Sequence, residues 1–279
     1  MDARHWRRSI VSHSWTERYI AVLGPNGVGL CRRRGGTCEW LGSVGFISDH
    51  FPAWPVATET LERLLAEQVR GRAELCVVLS NHYSRFCRVP WSDQINTDTE
   101  LQVYAGICFE EIFGLSAHNW TLSLSAEAAG QPRVAAAVPD ELLLRLRALA
   151  GNLSLRLVSV QPYLMAAFNH FDGQMAKDDF LFVVAEPGRS TLLVAREGRW
   201  ESVRSVCGPD SDGALGALIA REHELLGDDS TRPLPIYLHA PGRIDSTPCL
   251  DQEAVVLLAW QAAAAPVRDV LYVMSRTVH

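Results

Sequence analysis

The chain has 279 residues, 48% hydrophobic and 21% charged, enough for one large or two smaller domains and unlike a disordered segment. Its formal net charge is −6, with a sequence pI near 5.8, which excludes a broad basic face for DNA or RNA as its organising feature. No apolar run approaches the roughly 20 residues of a membrane span, and the N-terminus lacks the apolar stretch of a signal peptide, so the reading is of a soluble cytoplasmic protein.

In chain order, "RYIAVLGPNGVGLCRRR" (Arg18 to Arg34) predicts a hairpin around an Asn-Gly turn, and "TCEWLGSVGF" a third strand. A helix is expected from Thr58, as N-cap, to Gly71, with Leu61, Leu64, Leu65 and Val69 on one face. "ELCVVLS" reads as a buried strand and "YSRFCRVPW" as a strand ended by Pro90. A helix follows over "DTELQVYAGICFEEIFG", with Leu101, Tyr104, Ala105, Cys108 and Ile112 at helical spacing, then strands over "NWTLSLSA" and "RVAAAVP". "DELLLRLRALAGN" is a helix, "LSLRLVSVQP" a strand and "YLMAAFNHF" a short helix. Phe180 to Trp200 opens three further strands, "DGALGALIAREHELLG" is a helix, and "LPIYLHAPG" a strand. "DQEAVVLLAWQAAAA" is expected to be helical and "DVLYVMS" a last strand.

The order strand, strand, strand, helix, strand thus occurs twice, from about Arg18 and from about Phe180. That is a duplication of architecture, the pattern of two ribonuclease-H-like units in tandem. The seven cysteines include no C-x-x-C pair and read as small packing residues of a reducing compartment. The basic turn "CRRRGG" reads as a solvated hairpin, with contact to acidic lipid headgroups or an acidic peptide as the alternative. Trp54 and Trp91, beside prolines in loop-like segments, are the tryptophans best placed to meet a partner, and "REHELL" is read as a solvated helix face.

The stretch Arg133 to Phe171, with its strand ending in Val-Pro, helix, strand and second helix, resembles the PilM family of type IV pilus assembly proteins and its relatives in type II secretion and mannose-sensitive pili. "LFVVAEPGRSTLLVAREGRW" resembles that family's second phosphate loop, and the segment from "VVLSNHY" to "EEIFG" its inserted subdomain. The resemblance implies an α/β protein of actin-like fold: two ribonuclease-H-like subdomains with a central cleft. The first would span residues 1–175 with a small insertion near 81–130, and the second residues 176–279. It further implies a cytoplasmic scaffold, peripheral to the inner membrane, that binds the cytoplasmic tail of a bitopic pilus or secretion protein and meets the membrane only through that partner. The alternative within the same fold is an active ATP-binding, ATP-hydrolysing enzyme.

In that fold two glycine turns and an adenosine loop hold nucleotide through backbone N–H groups, and strand-end aspartates position Mg²⁺. The matching positions here are Gly24, Asn26 and Gly27 in the first turn, Glu186, Gly188, Arg189 and Ser190 in the second, and Gly242 in the third. The first strand lacks its terminal aspartate, and Pro25, Pro187 and Pro241 each remove an N–H donor. The expectation is a degenerate site without catalytic or metal-ligating residues, to which ATP and Mg²⁺ bind weakly or not at all. Glu186 and Arg189 read as solvated side chains of a plain hairpin. The same shortage of carboxylates argues against a two-metal nuclease.

Overall fold

The computed structural model describes residues 17–35, 37–49, 51–225, 234–243, 255–259 and 269–278. The chain opens with a meander, β1 (Arg18–Leu23), β2 (Gly27–Arg34) and β3 (Thr37–Gly45), followed by α1 (Trp54–Gln68) and β4 (Ala73–Leu79). A 3-10 turn over Asn81–Tyr83 leads to β5 (Arg85–Val89), α2 (Asp98–Phe113), β6 (Trp120–Leu124) and β7 (Arg133–Pro139). Next come α3 (Asp140–Asn152), β8 (Leu155–Pro162) and α4 (Tyr163–Phe171). A second meander, β9 (Phe180–Glu186), β10 (Arg189–Arg196) and β11 (Arg199–Cys207), precedes α5 (Asp212–Leu225), β12 (Ile236–His239), β13 (Val255–Leu257) and α6 (Val270–Ser275).

The strands form two five-stranded sheets of one design, in order β3-β2-β1-β4-β8 and β11-β10-β9-β12-β13. In each, the meander is antiparallel and the later strands add in parallel to its first strand. The repeated element order in the sequence is therefore a repeated topology. A third, antiparallel sheet, β5-β7-β6, carries α2 and makes a small lobe. Because β7 is its central strand, this lobe extends past residue 130 to the start of α3.

Apolar alternation explains the layers. Tyr19, Ala21 and Leu23 of β1 bury with α1 and α3 on one face, while Ile20 and Val22 bury on the other with α4 and α6. Leu215 and Ile219 of α5 cover β9, β10 and β12. Phe168 of α4 meets Phe180, Phe182 and Trp200, with ring centroids 5.4–6.1 Å apart, so α4 joins the core of the second meander to the first sheet.

Several expectations are corrected. α1 begins at Trp54, with a proline in its first turn, and Thr58 lies inside it with its hydroxyl donating to the Pro55 carbonyl at 2.8 Å. Trp54 is thus a half-buried helical residue, whereas Trp91 is exposed. Ile112 faces solvent. Val255–Leu257, expected to be helical, pairs in parallel with β12, and the last predicted strand is α6. α6 belongs by sequence to the second half but packs on β1 and β2 of the first sheet. Cys31 and Cys38 are joined as a disulfide across β2 and β3, where free packing cysteines were expected. Glu222 of "REHELL" is buried, accepting a hydrogen bond from the Ser202 hydroxyl at 3.2 Å. Trp15, Trp260 and Cys249 lie outside the described residues.

Candidate functional site

The first turn follows β1 without a carboxylate. Gly24 N–H donates across it to the Gly27 carbonyl at 2.8 Å, and Phe46 N–H donates to the Asn26 carbonyl at 3.0 Å. Leu271 of α6 covers the turn: a Cβ on Gly24 would lie 2.6 Å from Leu271 Cδ2, and one on Gly27 3.3 Å from Cδ1. Glycine is thus needed here for the approach of an apolar side chain.

The second turn is a tight hairpin. Glu186 and Arg189 pair across it, with Pro187 and Gly188 (φ 79°) at the corner, where proline presets the first torsion and glycine supplies the positive one. Glu186 and Arg189, expected in solvent, are buried at 1% and 6% exposure. Their burial follows from the segment that ends β4. Ser80 Oγ donates to Glu186 at 2.5 Å, Asn81 N–H donates to the same carboxylate at 2.9 Å, and His82 Nε2 donates to the Pro187 carbonyl at 3.1 Å.

That segment also reaches the first turn and the connecting helix. Tyr83 Oη donates to the Gly24 carbonyl at 2.7 Å, and Asn81 Oδ1 accepts from Leu164 N–H, in the first turn of α4, at 2.9 Å. Residues 80–83 therefore tie together both turns that the sequence marked and the helix between the halves. Asn81→Ala removes the acceptor from a fully buried N–H and is expected to cost about 1–3 kcal/mol, read as a lower urea midpoint at unchanged slope.

The third turn completes the cluster. A Cβ on Gly242 would lie 3.1 Å from Pro187 Cγ, so the second and third turns touch. Arg243 holds the third turn to α5, donating to the Asp210 carbonyl at 2.9 Å and to Asp212 Oδ1 at 2.6 Å. His239, at the end of β12, donates from Nδ1 to the Leu258 carbonyl at 2.8 Å, which leaves Nε2 to accept from Tyr163 Oη at 2.6 Å. Burial pushes its pKa down to about 4, in keeping with that neutral tautomer.

The electrostatics follow from enclosure. Burial raises the Glu186 carboxyl to about 7 against the opposing pull of Ser80, Asn81 and Arg189. Arg189 donates to Cys207 Sγ at 3.2 Å, while its Nε is buried without a hydrogen-bond partner among the described residues. A cleft of about 890 Å³ adjoins the first turn, but its lining, which includes Asn26, Phe46, Phe51, His82 and Tyr83, comes from residues 25–83 alone. It is a feature of the first half.

Of the sequence candidates, Glu186, Gly188, Arg189, Ser190 and Gly242 gather around the second turn, while Gly24, Asn26 and Gly27 lie beyond the bridge made by Ser80 to Tyr83. The bridge escaped sequence reading. Its signal is the polar run "SNHY" directly after a fully buried strand, with no Gly or Pro to mark a solvent turn.

No protein-family model matches the chain, and no curated protein sequence matches it. Solved structures do. A Bacteroides thetaiotaomicron protein of actin-like ATPase fold and unknown function aligns over 86% of this chain and 87% of its own, with a TM-score of 0.56 and 7% identity. The chain has the actin-like fold. This actin-like chain is also similar to the cytoplasmic domain of EpsL, an inner-membrane component of the Vibrio cholerae type II secretion system (TM-score 0.55, 12% identity, 94% of both chains). It is similar as well to a chain of the PilM-PilN type IV pilus biogenesis complex (0.54, 15%, 80% and 81%). Among the described residues, no helix of this actin-like protein is long and apolar enough to cross a membrane.

Proposed function

We propose that this actin-like protein is a scaffold of a type IV pilus or type II secretion inner-membrane platform. In this reading its nucleotide site is degenerate and it binds the cytoplasmic tail of a bitopic membrane partner. One observation carries the loss of nucleotide binding: residues 80–83 occupy the junction between the two phosphate-loop positions and direct their own donors at Glu186 and Pro187. A phosphate cradle needs convergent free N–H groups. Here Gly24 N–H is used within its own turn, Leu271 lies against that turn, and three prolines withhold donors. Glu186, at the strand end where the resemblance would place a Mg²⁺-positioning carboxylate, already accepts two hydrogen bonds and is shielded from solvent. The residues present do not fit ATP·Mg²⁺. The platform role is supported by the likeness in fold to the cytoplasmic domain of EpsL and to PilM.

The test is calorimetric titration of the purified protein with ATP·Mg²⁺. No heat of binding is expected below millimolar nucleotide, since two lost charge-assisted hydrogen bonds of about 1.5–3 kcal/mol each weaken binding by about two to four decades. Low-micromolar binding that Arg189→Ala weakens would instead assign an active ATP-binding protein. Pull-down with the cytoplasmic tail of a single-span protein encoded beside this one tests the partner half of the proposal; failure to retain the tail removes it.

A further inference from the structure

Among the described free cysteines Cys207 is exposed, whereas Cys76, Cys87 and Cys108 are buried. It ends β11, where the ladder sets it opposite Arg189 of β10. Arg189 in turn stands opposite Glu186 of β9, so the three side chains share one face. Arg189 is held there with few partners. Its Nη2 donates to Cys207 Sγ at 3.2 Å, and its Nε, on a residue only 6% exposed, has no acceptor among the described residues. Glu186 does not supply one, since its oxygens accept from Ser80 Oγ and Asn81 N–H. Arg85, at the start of β5, brings a second guanidinium to the same place. Burial and the charge of Arg189 lower its pKa, and Cys207 acts on it in the opposite direction. Neither Arg85 nor Arg189 forms an ion pair among the described residues.

A buried donor without an acceptor costs free energy, so the site around the reduced thiol lacks one acceptor atom. Nε and Nη2 belong to one edge of the guanidinium, an edge that takes two neighbouring acceptors side by side; Arg18 presents the same edge to Glu74. At Arg189 the sulfur already sits on the Nη2 half of that edge, and an oxygen bonded to the sulfur lies beside the Nε half. We propose that Cys207 is an oxidation site, at which a hydroperoxide converts the thiol to a sulfenic acid held side-on by Arg189. With hydrogen peroxide the sulfur attacks one peroxide oxygen, so that an S–O bond forms and the O–O bond breaks. The sulfur is oxidised by two electrons, the peroxide is reduced, and the thiol proton leaves with the second oxygen as water. A mixed disulfide or an alkyl adduct puts sulfur or carbon at that place, and neither serves an N–H donor as oxygen does. An added thiol reverses the step. The site is independent of the nucleotide reading and of any partner tail.

The test is exposure of the purified full chain to hydrogen peroxide with dimedone present to trap sulfenic acid, followed by peptide mapping of the labelled cysteine. Label is expected on Cys207 and not on buried Cys76, Cys87 or Cys108, and it should vanish in Cys207→Ser. Arg189→Gln is expected to lower the rate of trapping about tenfold, the loss of one hydrogen bond from a charged donor. Arg189→Lys keeps the charge without the two-nitrogen edge and should lose nearly as much. Arg85→Gln removes only the neighbouring charge and is expected to lower the rate about threefold. Arg85 lies outside the hairpin, so its variant keeps the test valid even if the Arg189 variants do not fold. Arg147→Gln, at an exposed position of α3, makes the same change in net charge and should label as the parent does. Parental rates in both Arg189→Gln and Arg85→Gln overturn the inference, because exposure alone then explains the label. A parental rate in Arg189→Lys overturns the side-on geometry, and absence of label on Cys207 overturns the site.

Discussion

Glu186→Gln is expected to stabilise the protein by up to about 3 kcal/mol at pH 8 and to leave stability at pH 4 nearly unchanged. The Glu186 carboxyl titrates near 7 in the folded protein because it is buried, against an ordinary value of 4.5. Between those values the folded state binds more protons than the unfolded one, so stability falls as pH rises. The contribution is fully present below about pH 4.5 and is lost by the time pH has passed 7. A carboxyl held near 7 in place of 4.5 corresponds to about 3 kcal/mol, taken as an upper figure. Glutamine keeps an acceptor for Asn81 N–H without the charge. Urea unfolding of both proteins from pH 4 to 8 measures this: the slope between pH 5 and 7 should flatten in the variant. An unchanged slope would mean that Glu186 is ionised in the folded state, and the enclosure by Ser80 and Asn81 would then not govern it.

Leu271→Ala is expected to cost about 2–5 kcal/mol, the range for a buried leucine that leaves a cavity. The more informative measurement is a double-mutant cycle with Gly24→Ala. Alone, Gly24→Ala places a methyl 2.6 Å from Leu271 Cδ2 and is expected to cost about 1–3 kcal/mol through overpacking. In the Leu271→Ala background the nearest obstacle is gone and only the Gly27 carbonyl oxygen, 3.1 Å away, remains tight, so the double variant should be more stable than the sum of the singles by about 0.5–3 kcal/mol. Additive costs would show that α6 does not seat on the first turn. The result bears on function, because this seating gives Gly24 and Gly27 a packing role in place of a phosphate-binding one.

The positions of the turns were legible in the sequence, but their use was not. "GPNG" between apolar runs and "EPGR" between buried strands locate both hairpins, since turn chemistry is local. Reading Glu186 and Arg189 as solvated failed because their covering, Ser80 to His82, comes from more than a hundred residues earlier in the chain. Periodicity within a window carries no information about such a pairing. Two late elements failed for another reason. "AVVLL" and "VLYVMS" are short continuous apolar runs, for which spacing alone does not separate strand from helix. Val255–Leu257 became a strand because β12 offers it an open edge, and Val270–Ser275 a helix because Asp269 caps it, accepting from Leu271 N–H at 2.8 Å, and because Leu271, Tyr272 and Met274 are buried.

By itself the sequence determined the repeated order of strands and helices, the hairpin turns and the prolines that take donors away from them. These follow from residue-scale preferences: alternation along a strand, 3.6-residue spacing in a helix, and the fixed torsion of proline. Only the tertiary structure decided that Ser80 to Tyr83 bridges the turns, that Leu271 fills the space beside Gly24, and that Arg85 comes to stand beside Arg189 and Cys207. Each of these is a contact between distant parts of the chain, and its energy comes from burial and charge that exist only once the sheets and helices have packed.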